Sequence, residues 1–158
     1  MKFYSIGVYN STEEEYFAKL IDNRIDTFCD IRQRRGVRGA KYAFVNSIRL
    51  QEKLCELDIR YGHVVKLAPT TEIRNLQKQH DAEIGVAKSK RTTLGEVFKN
   101  EYESRIIDNF NFDNLVERLD EIGAENIVFF CVEEQPAACH RSIVTDKLAS
   151  LGFEIEHI

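Results

Sequence analysis

No apolar run in the sequence approaches the roughly 20 residues that a bilayer-spanning helix requires. A transmembrane helix is therefore excluded, and no membrane partner is expected. The start of the chain, Met1 to Ile6, is too short and polar for an export signal and reads directly as a strand. Disulfide staples are missing as well. The four cysteines, Cys29, Cys55, Cys131 and Cys139, are unevenly spaced in a chain long enough to bury a core without cross-links. Reduced thiols and a cytoplasmic location are expected. An excess of positive charge is lacking too: the net charge of −4 argues against a protein that coats nucleic acid over its whole surface. Proline occurs only as Pro69 and Pro136, each where a predicted strand gives way to a loop. There is no internal repeat, low-complexity run or linker, so residues 1–158 are expected to form one domain.

What is present is concentrated in Asn126 to Leu151. Ile127 to Phe130 is continuously apolar and β-prone, as in a strand buried on both faces of a parallel sheet. After Pro136, the residues Ile143, Val144, Leu148 and Leu151 fall at helical spacing, and Gly152 supplies the stop. A buried strand thus ends at Cys131, and a helix begins near Cys139-His140-Arg141-Ser142. In open α/β sheets ligands bind outside the carboxyl ends of the strands. Free amides and the helix dipole there favour an anion.

In chain order, Lys2 to Tyr9 reads as a first strand. Ser11-Thr12 with Glu14-Glu15 offers a capping box, ahead of a helix whose apolar face is Tyr16, Phe17, Leu20 and Ile21. Ile25 to Ile31 is a second strand, in which alternation places Phe28, Asp30 and Arg32 on one face and Cys29 and Ile31 on the other. Arg32 to Lys41 is a basic, glycine-bearing loop suited to close approach by a phosphate. Phe44, Val45, Ile48, Leu54 and Leu57 mark a second helix, and Ile59 to Leu67 a third strand. Residues at about 70–110 form a helical excursion with a polar, basic, mobile stretch at Ala87 to Thr93 and an apolar stripe of Phe98, Tyr102, Ile106 and Phe110. Asp113 to Ile122 is a helix capped around Asn111, and Phe153 to Ile158 a last strand. This pattern predicts a three-layer α/β fold with a mostly parallel sheet, Rossmann-like or flavodoxin-like.

Several residues carry chemistry. A cysteine at a helix start has enhanced thiolate character, so Cys139, with Cys131 beside it, is a candidate nucleophile toward a phosphoryl, glycosyl or acyl centre. His140 and Glu133 or Glu134 are acid/base candidates. Cys131 also reads as a small buried apolar residue. Arg141 opposes the helix dipole unless an anion lies between them, which makes it, with Ser142, Arg32 and Arg35, a candidate anion binder. Asp30 and Arg32, at a strand end, are expected in the same site, because buried strand-end charges often serve sites, with a structural ion pair as the lesser reading. Zinc ligation by Cys131, Cys139 and His140, with Cys29 or Asp30, is disfavoured by the spacing and by the adjacency of Cys139 and His140. No metal and no cofactor are expected.

The segment Cys131-x-Glu133-x-x-Pro136-x-x-Cys139-His140-Arg141-Ser142 resembles the signature of the domain-of-unknown-function 488 family. Ser5-Ile6-Gly7 is similar to that family's N-terminal Thr-Ile-Gly. Asp30-Ile31-Arg32 is similar to its Val-Asp-Val-Arg strand, and Ile59-Arg60-Tyr61-x-His63 with Leu67 to its Ile-Arg-Tyr-x-His-Leu-Pro segment. The chain departs from the pattern at Val8, where many members have histidine, and at Leu67-Ala68-Pro69, where many have Leu-Gly-Gly. If that histidine is catalytic elsewhere, its role is absent here or is filled by His63 or His140. The resemblance implies Asp30, Arg32, Cys131, Glu133, Pro136, Cys139, His140 and Arg141 as site residues and names no reaction. The leading expectation is a hydrolase or transferase that uses a thiolate or carboxylate on a phosphate-bearing small molecule or nucleic acid. The residues leave open a non-catalytic anion- or nucleic-acid-binding module working through Arg34, Arg35, Arg38 and Lys41, and a thiol-redox or metal protein.

Overall fold

The computed structural model describes residues 1–158, the side chain of Ser89 excepted. Five strands form one sheet: β1 (Lys2–Ile6), β2 (Thr27–Asp30), β3 (Arg60–His63), β4 (Asn126–Phe130) and β5 (Glu154–His157). All pairings are parallel, in the order β3-β2-β4-β1-β5. The inner strands β2, β4 and β1 are covered on both faces, which is why Ile127 to Phe130 is apolar without interruption.

Six helices connect them: α1 (Glu13–Asp22), α2 (Ser47–Glu56), α3 (Thr71–Glu83), α4 (Glu96–Tyr102), α5 (Phe112–Glu121) and α6 (His140–Ser150). From β1 through β2 to β3 the chain moves one way across the sheet, and from β3 through β4 to β5 it moves back. Right-handed crossovers then put α1 and α2 on one face and α3 to α6 on the other. The core divides accordingly. Tyr16, Leu20, Leu50 and Leu54 pack with Phe28 and Phe130, whereas Ile73, Phe98, Tyr102, Val144 and Leu148 pack with Cys29 and Phe129. This is a three-layer α/β architecture of the Rossmann/flavodoxin-like type, with β4 inserted between β1 and β2. Because β2 is followed by a connection on one face and β4 by one on the other, a crevice opens between their carboxyl ends.

Several local expectations shift. The capping box pairs Thr12 with Glu15, as charge and spacing suggest, but Ile21 points outward and is 55% exposed. The second helix starts only at Ser47, after a separate turn at Ala43–Val45, so Leu50 rather than Ile48 (74% exposed) meets the core. β3 ends at His63, and Val65–Leu67 tightens into a 3-10 turn. The stripe of Phe98, Tyr102, Ile106 and Phe110 packs on the core, with Ile106 and Phe110 only partly buried, and for Ile106 the reason is specific. Glu103–Ile107 is a π turn, closed by the Asp108 amide donating to the Glu103 carbonyl at 2.9 Å. Its wider winding buries Ile107 more deeply than Ile106, which stays partly buried against the same core. Among the described residues, no helix is long and apolar enough to cross a membrane.

Candidate functional site

A cavity of about 540 Å³ lies at the crevice between the ends of β2 and β4. Its lining carries seven basic side chains, Arg32, Arg34, Arg38, Arg74, Lys78, Lys88 and Arg91, against two carboxylates, Asp81 and Glu133. A chain of net charge −4 therefore concentrates cations here, where a low-dielectric wall strengthens their field. Cys131, Cys139 and His140 lie in the same lining.

On the β2 side, the fully buried Asp30 carboxylate accepts from the Arg32 amide (3.1 Å), Nε (2.9 Å) and Nη2 (2.7 Å), and from the Tyr61 hydroxyl (2.9 Å). The Arg32 guanidinium lies over the Phe130 ring, 4.5 Å from its centroid. The pair is fixed by the strand end and by the aromatic ring. Arg32 Nη1 is left buried without a partner.

On the β4 side, Cys131 follows the strand, and a 3-10 turn at Pro136–Ala138 folds the chain back to Cys139, the N-cap of α6. Cys131 Sγ donates to Glu133 Oε2 at 3.3 Å, and Cys139 Sγ sits 3.8 Å from His140 Nδ1. His140 Nε2 meets the Ile31 carbonyl at 3.1 Å. A carbonyl only accepts, so Nε2 carries the proton there. This contact ties the Cys-His loop to the residue between Asp30 and Arg32, bringing two segments about a hundred positions apart to one edge. The Cys131, Cys139 and His140 donor atoms lie within 4.8 Å of one another, a convergence that sequence spacing argued against.

The electrostatics differ residue by residue. Burial works against ionisation of Glu133, but Lys88 and Arg91 outweigh it and hold its pKa at about 2. Their contacts to Oε1 are 3.4 Å and 3.0 Å. Hydrogen bonding with Cys139 and burial push the Cys131 thiol well above its usual pKa. For His140, burial opposes the charged form, yet Cys131, Glu133 and the Ile31 carbonyl together raise its pKa.

Arg91, which the sequence marks only as part of a basic stretch able to meet a polyanion, anchors the cavity wall. It donates to the Ala138 carbonyl (3.1 Å), Asp81 Oδ2 (2.8 Å) and Glu133 Oε1 (3.0 Å). The stretch Ala87 to Thr93, expected to be mobile, is thereby held by a side chain that crosses to the β4 loop. Asp81 also accepts from Gln77, and Gln77 Oε1 accepts from the Gly95 amide. A sequence signal existed: Ile73, Gln77 and Asp81 recur every four residues on the buried face of α3. Polar groups on such a stripe require partners.

Arg141, expected to hold an anion, is almost wholly buried and does not line the cavity. Its guanidinium donates to Ser5 Oγ (3.3 Å), to the Glu133 carbonyl and to the Glu134 carbonyl (2.7 Å), so it shapes the loop from behind. Gly7 permits this: a Cβ there would stand 2.0 Å from the Glu133 carbonyl oxygen. Ser142 caps locally, its Oγ donating to the Cys139 carbonyl at 3.0 Å. Arg35 turns to the Tyr61 hydroxyl at 3.5 Å and lines a separate shallow groove. Glu134 is exposed and accepts from Asn10. Cys29 is buried in the opposite core layer, its thiol pushed up to about 12 by burial. His63 contacts the Arg32 carbonyl at 2.9 Å.

Residues 12–148 match the family described as Domain of unknown function DUF488. The chain belongs to the DUF488 family. No curated protein and no solved structure matches it. The DUF488 match runs from the N-cap of α1 into the last turn of α6, so it takes in both sides of the crevice. The family description carries no reaction, and the roles of these residues rest on their geometry.

Proposed function

We propose that this DUF488 protein is an enzyme, a hydrolase or transferase, acting on a phosphate-bearing substrate of the nucleotide or nucleic-acid class in the crevice between β2 and β4. One observation carries the reading. Arg32 lines a cavity with seven basic side chains, is held rigid by Asp30, and keeps one buried guanidinium nitrogen without a partner. A buried donor left unpaired costs about 1–3 kcal/mol, which a phosphate oxygen recovers, and the planar guanidinium suits phosphate geometry. Arg34, Arg38 and Lys88 extend the binding field toward solvent. Glu133, held ionised by Lys88 and Arg91, fixes these two cations at the cavity, and His140, whose pKa the site raises, is the acid/base group. Asp30 positions Arg32, while Arg141 and Ser142 position the loop. Cys131 and Cys139 complete the floor.

The test is a titration of isotopically labelled protein with inorganic phosphate and a nucleoside monophosphate, followed by amide chemical shifts. Shifts should cluster in residues 32–38 and 131–142 and weaken in Lys88→Ala. Their absence from both segments in the wild type refutes the reading. The exposed arginines Arg34 and Arg38 favour one alternative, a non-catalytic nucleic-acid module. That module would bind a short oligonucleotide with a steep salt dependence, because each neutralised phosphate releases counterion, and would not turn over any phosphate ester.

A further inference from the structure

The geometry of the two thiols points to a metal. Cys131 Sγ, Cys139 Sγ and a His140 ring nitrogen, all buried, lie within 4.8 Å of one another. Zinc bonds of about 2.3 Å to sulfur and 2.0–2.1 Å to nitrogen set tetrahedral ligand atoms about 3.6–3.8 Å apart. Cys139 Sγ and His140 Nδ1 already stand 3.8 Å apart. The widest edge therefore closes with a shift of about 1 Å, within reach of side-chain rotation.

Three further features aim these atoms at a common point. His140 donates its Nε2–H to the Ile31 carbonyl, which leaves the Nδ1 lone pair on the thiol side. Metal-ligating histidines are held in this way by a carbonyl on the second nitrogen. Cys139 occupies the N-cap of α6, yet its thiol caps nothing and stays available. Charge also balances. Two thiolates neutralise a dication, and Glu133, itself paired with Lys88 and Arg91, stands with Oε2 3.3 Å from Cys131 Sγ. The zinc-knuckle spacing rule does not apply, because β4 and the start of α6 present these ligands rather than a single short turn.

We propose that Cys131, Cys139 and His140, through Nδ1, hold one zinc ion whose fourth position opens to the cavity beside Glu133. Two sulfurs and one imidazole select zinc over the hard cations magnesium and calcium. Three protein ligands with one open position is the coordination of catalytic zinc sites. The inference deepens the preceding reading, moves His140 from acid/base group to ligand, and rests on that reading only for the use of the open position.

Metal-stripped, reduced protein titrated with Co(II) should bind one equivalent. Thiolate-to-cobalt charge-transfer absorption should appear in the near ultraviolet with tetrahedral d–d bands in the visible, and Zn(II) should displace both. Cys131→Ser and Cys139→Ser should each weaken binding by more than about tenfold, whereas Cys55→Ser should leave it unchanged. A second measurement covers thiol variants that fail to fold. In the wild type, Zn(II) should slow iodoacetamide labelling of Cys131 and Cys139 but not of Cys55. Absence of charge-transfer bands, their persistence in Cys139→Ser, or no protection by Zn(II) overturns the site. Phosphate-dependent shifts without cobalt bands overturn the zinc site and leave the phosphate reading standing. Cobalt bands without phosphate shifts do the reverse.

Discussion

Replacing Asp30 with asparagine alters the one fully buried carboxylate on which the β2 side of the crevice depends. The substitution is nearly isosteric, so packing is preserved and the electrostatic change is isolated. The wild-type carboxylate accepts four hydrogen bonds, three of them from Arg32. An asparagine oxygen in the Oδ1 position keeps the bonds to the Arg32 amide and Nε. Its NH₂ then faces Arg32 Nη2 and the Tyr61 hydroxyl, and the guanidinium loses its counter-charge while remaining 3% exposed. Breaking a buried pair by removing one partner costs about 3–5 kcal/mol. The retained bonds and the Phe130 ring beneath Arg32 place the expectation at the lower end, about 3 kcal/mol. Urea denaturation followed by far-ultraviolet circular dichroism measures this directly. With about 2 kcal/mol per molar as the slope, the midpoint falls by about 1.5 M. The exposed Arg49–Glu13 pair is the control, and Glu13→Gln should leave the midpoint unchanged. The double variant Asp30→Asn/Arg32→Met should be more stable than Asp30→Asn alone, because the orphaned charge goes with its partner. A loss below about 1 kcal/mol, or a double variant less stable than the single one, refutes the argument that this pair is buried, coupled and dependent on both members.

The other expectations concern the loop after β4. Gly7→Ala should destabilise the protein by about 2–3 kcal/mol in the same assay, since the new methyl collides with the Glu133 carbonyl and the loop must move. Glu133 has a folded pKa near 2 against an ordinary value of 4.5, so its contribution is complete above pH 4.5 and is lost as pH falls toward 2. The shift corresponds to about 3 kcal/mol. The stability gap between wild type and Glu133→Gln should therefore be flat above pH 4.5 and narrow below it, and a gap unchanged down to pH 2 contradicts the assigned ion pairs. In iodoacetamide labelling read by mass spectrometry, the exposed Cys55 should react first and the buried Cys29, with its raised pKa, last. Faster labelling of Cys29 than of Cys55 would show that the core opens more readily than its packing implies.

The sequence by itself determined the elements whose signals are local. The uninterrupted run Ile127 to Phe130, the Thr12–Glu15 capping box and the Cys139 helix start are each written within a few neighbouring residues, and the handedness rule turns them into layers. It also marked both halves of the crevice, because charges at strand ends stand out against an apolar background. Tertiary structure decided the rest, for physical reasons that no window along the chain contains. The π turn at Glu103–Ile107 sank Ile107 deeper than Ile106 because helical winding, not composition, sets which side chain faces inward. Arg141 went to the back of the loop because two carbonyls, those of Glu133 and Glu134, required donors there. Lys88 and Arg91 became part of the cavity wall because Glu133, far from them in sequence, needed counter-charges in a buried place, and Arg91 also pairs with Asp81. Cys131, Cys139 and His140 converged because a 3-10 turn brought the start of α6 back to the end of β4. Buried polar groups find partners through space, and sequence separation carries almost no information about which partner is within reach.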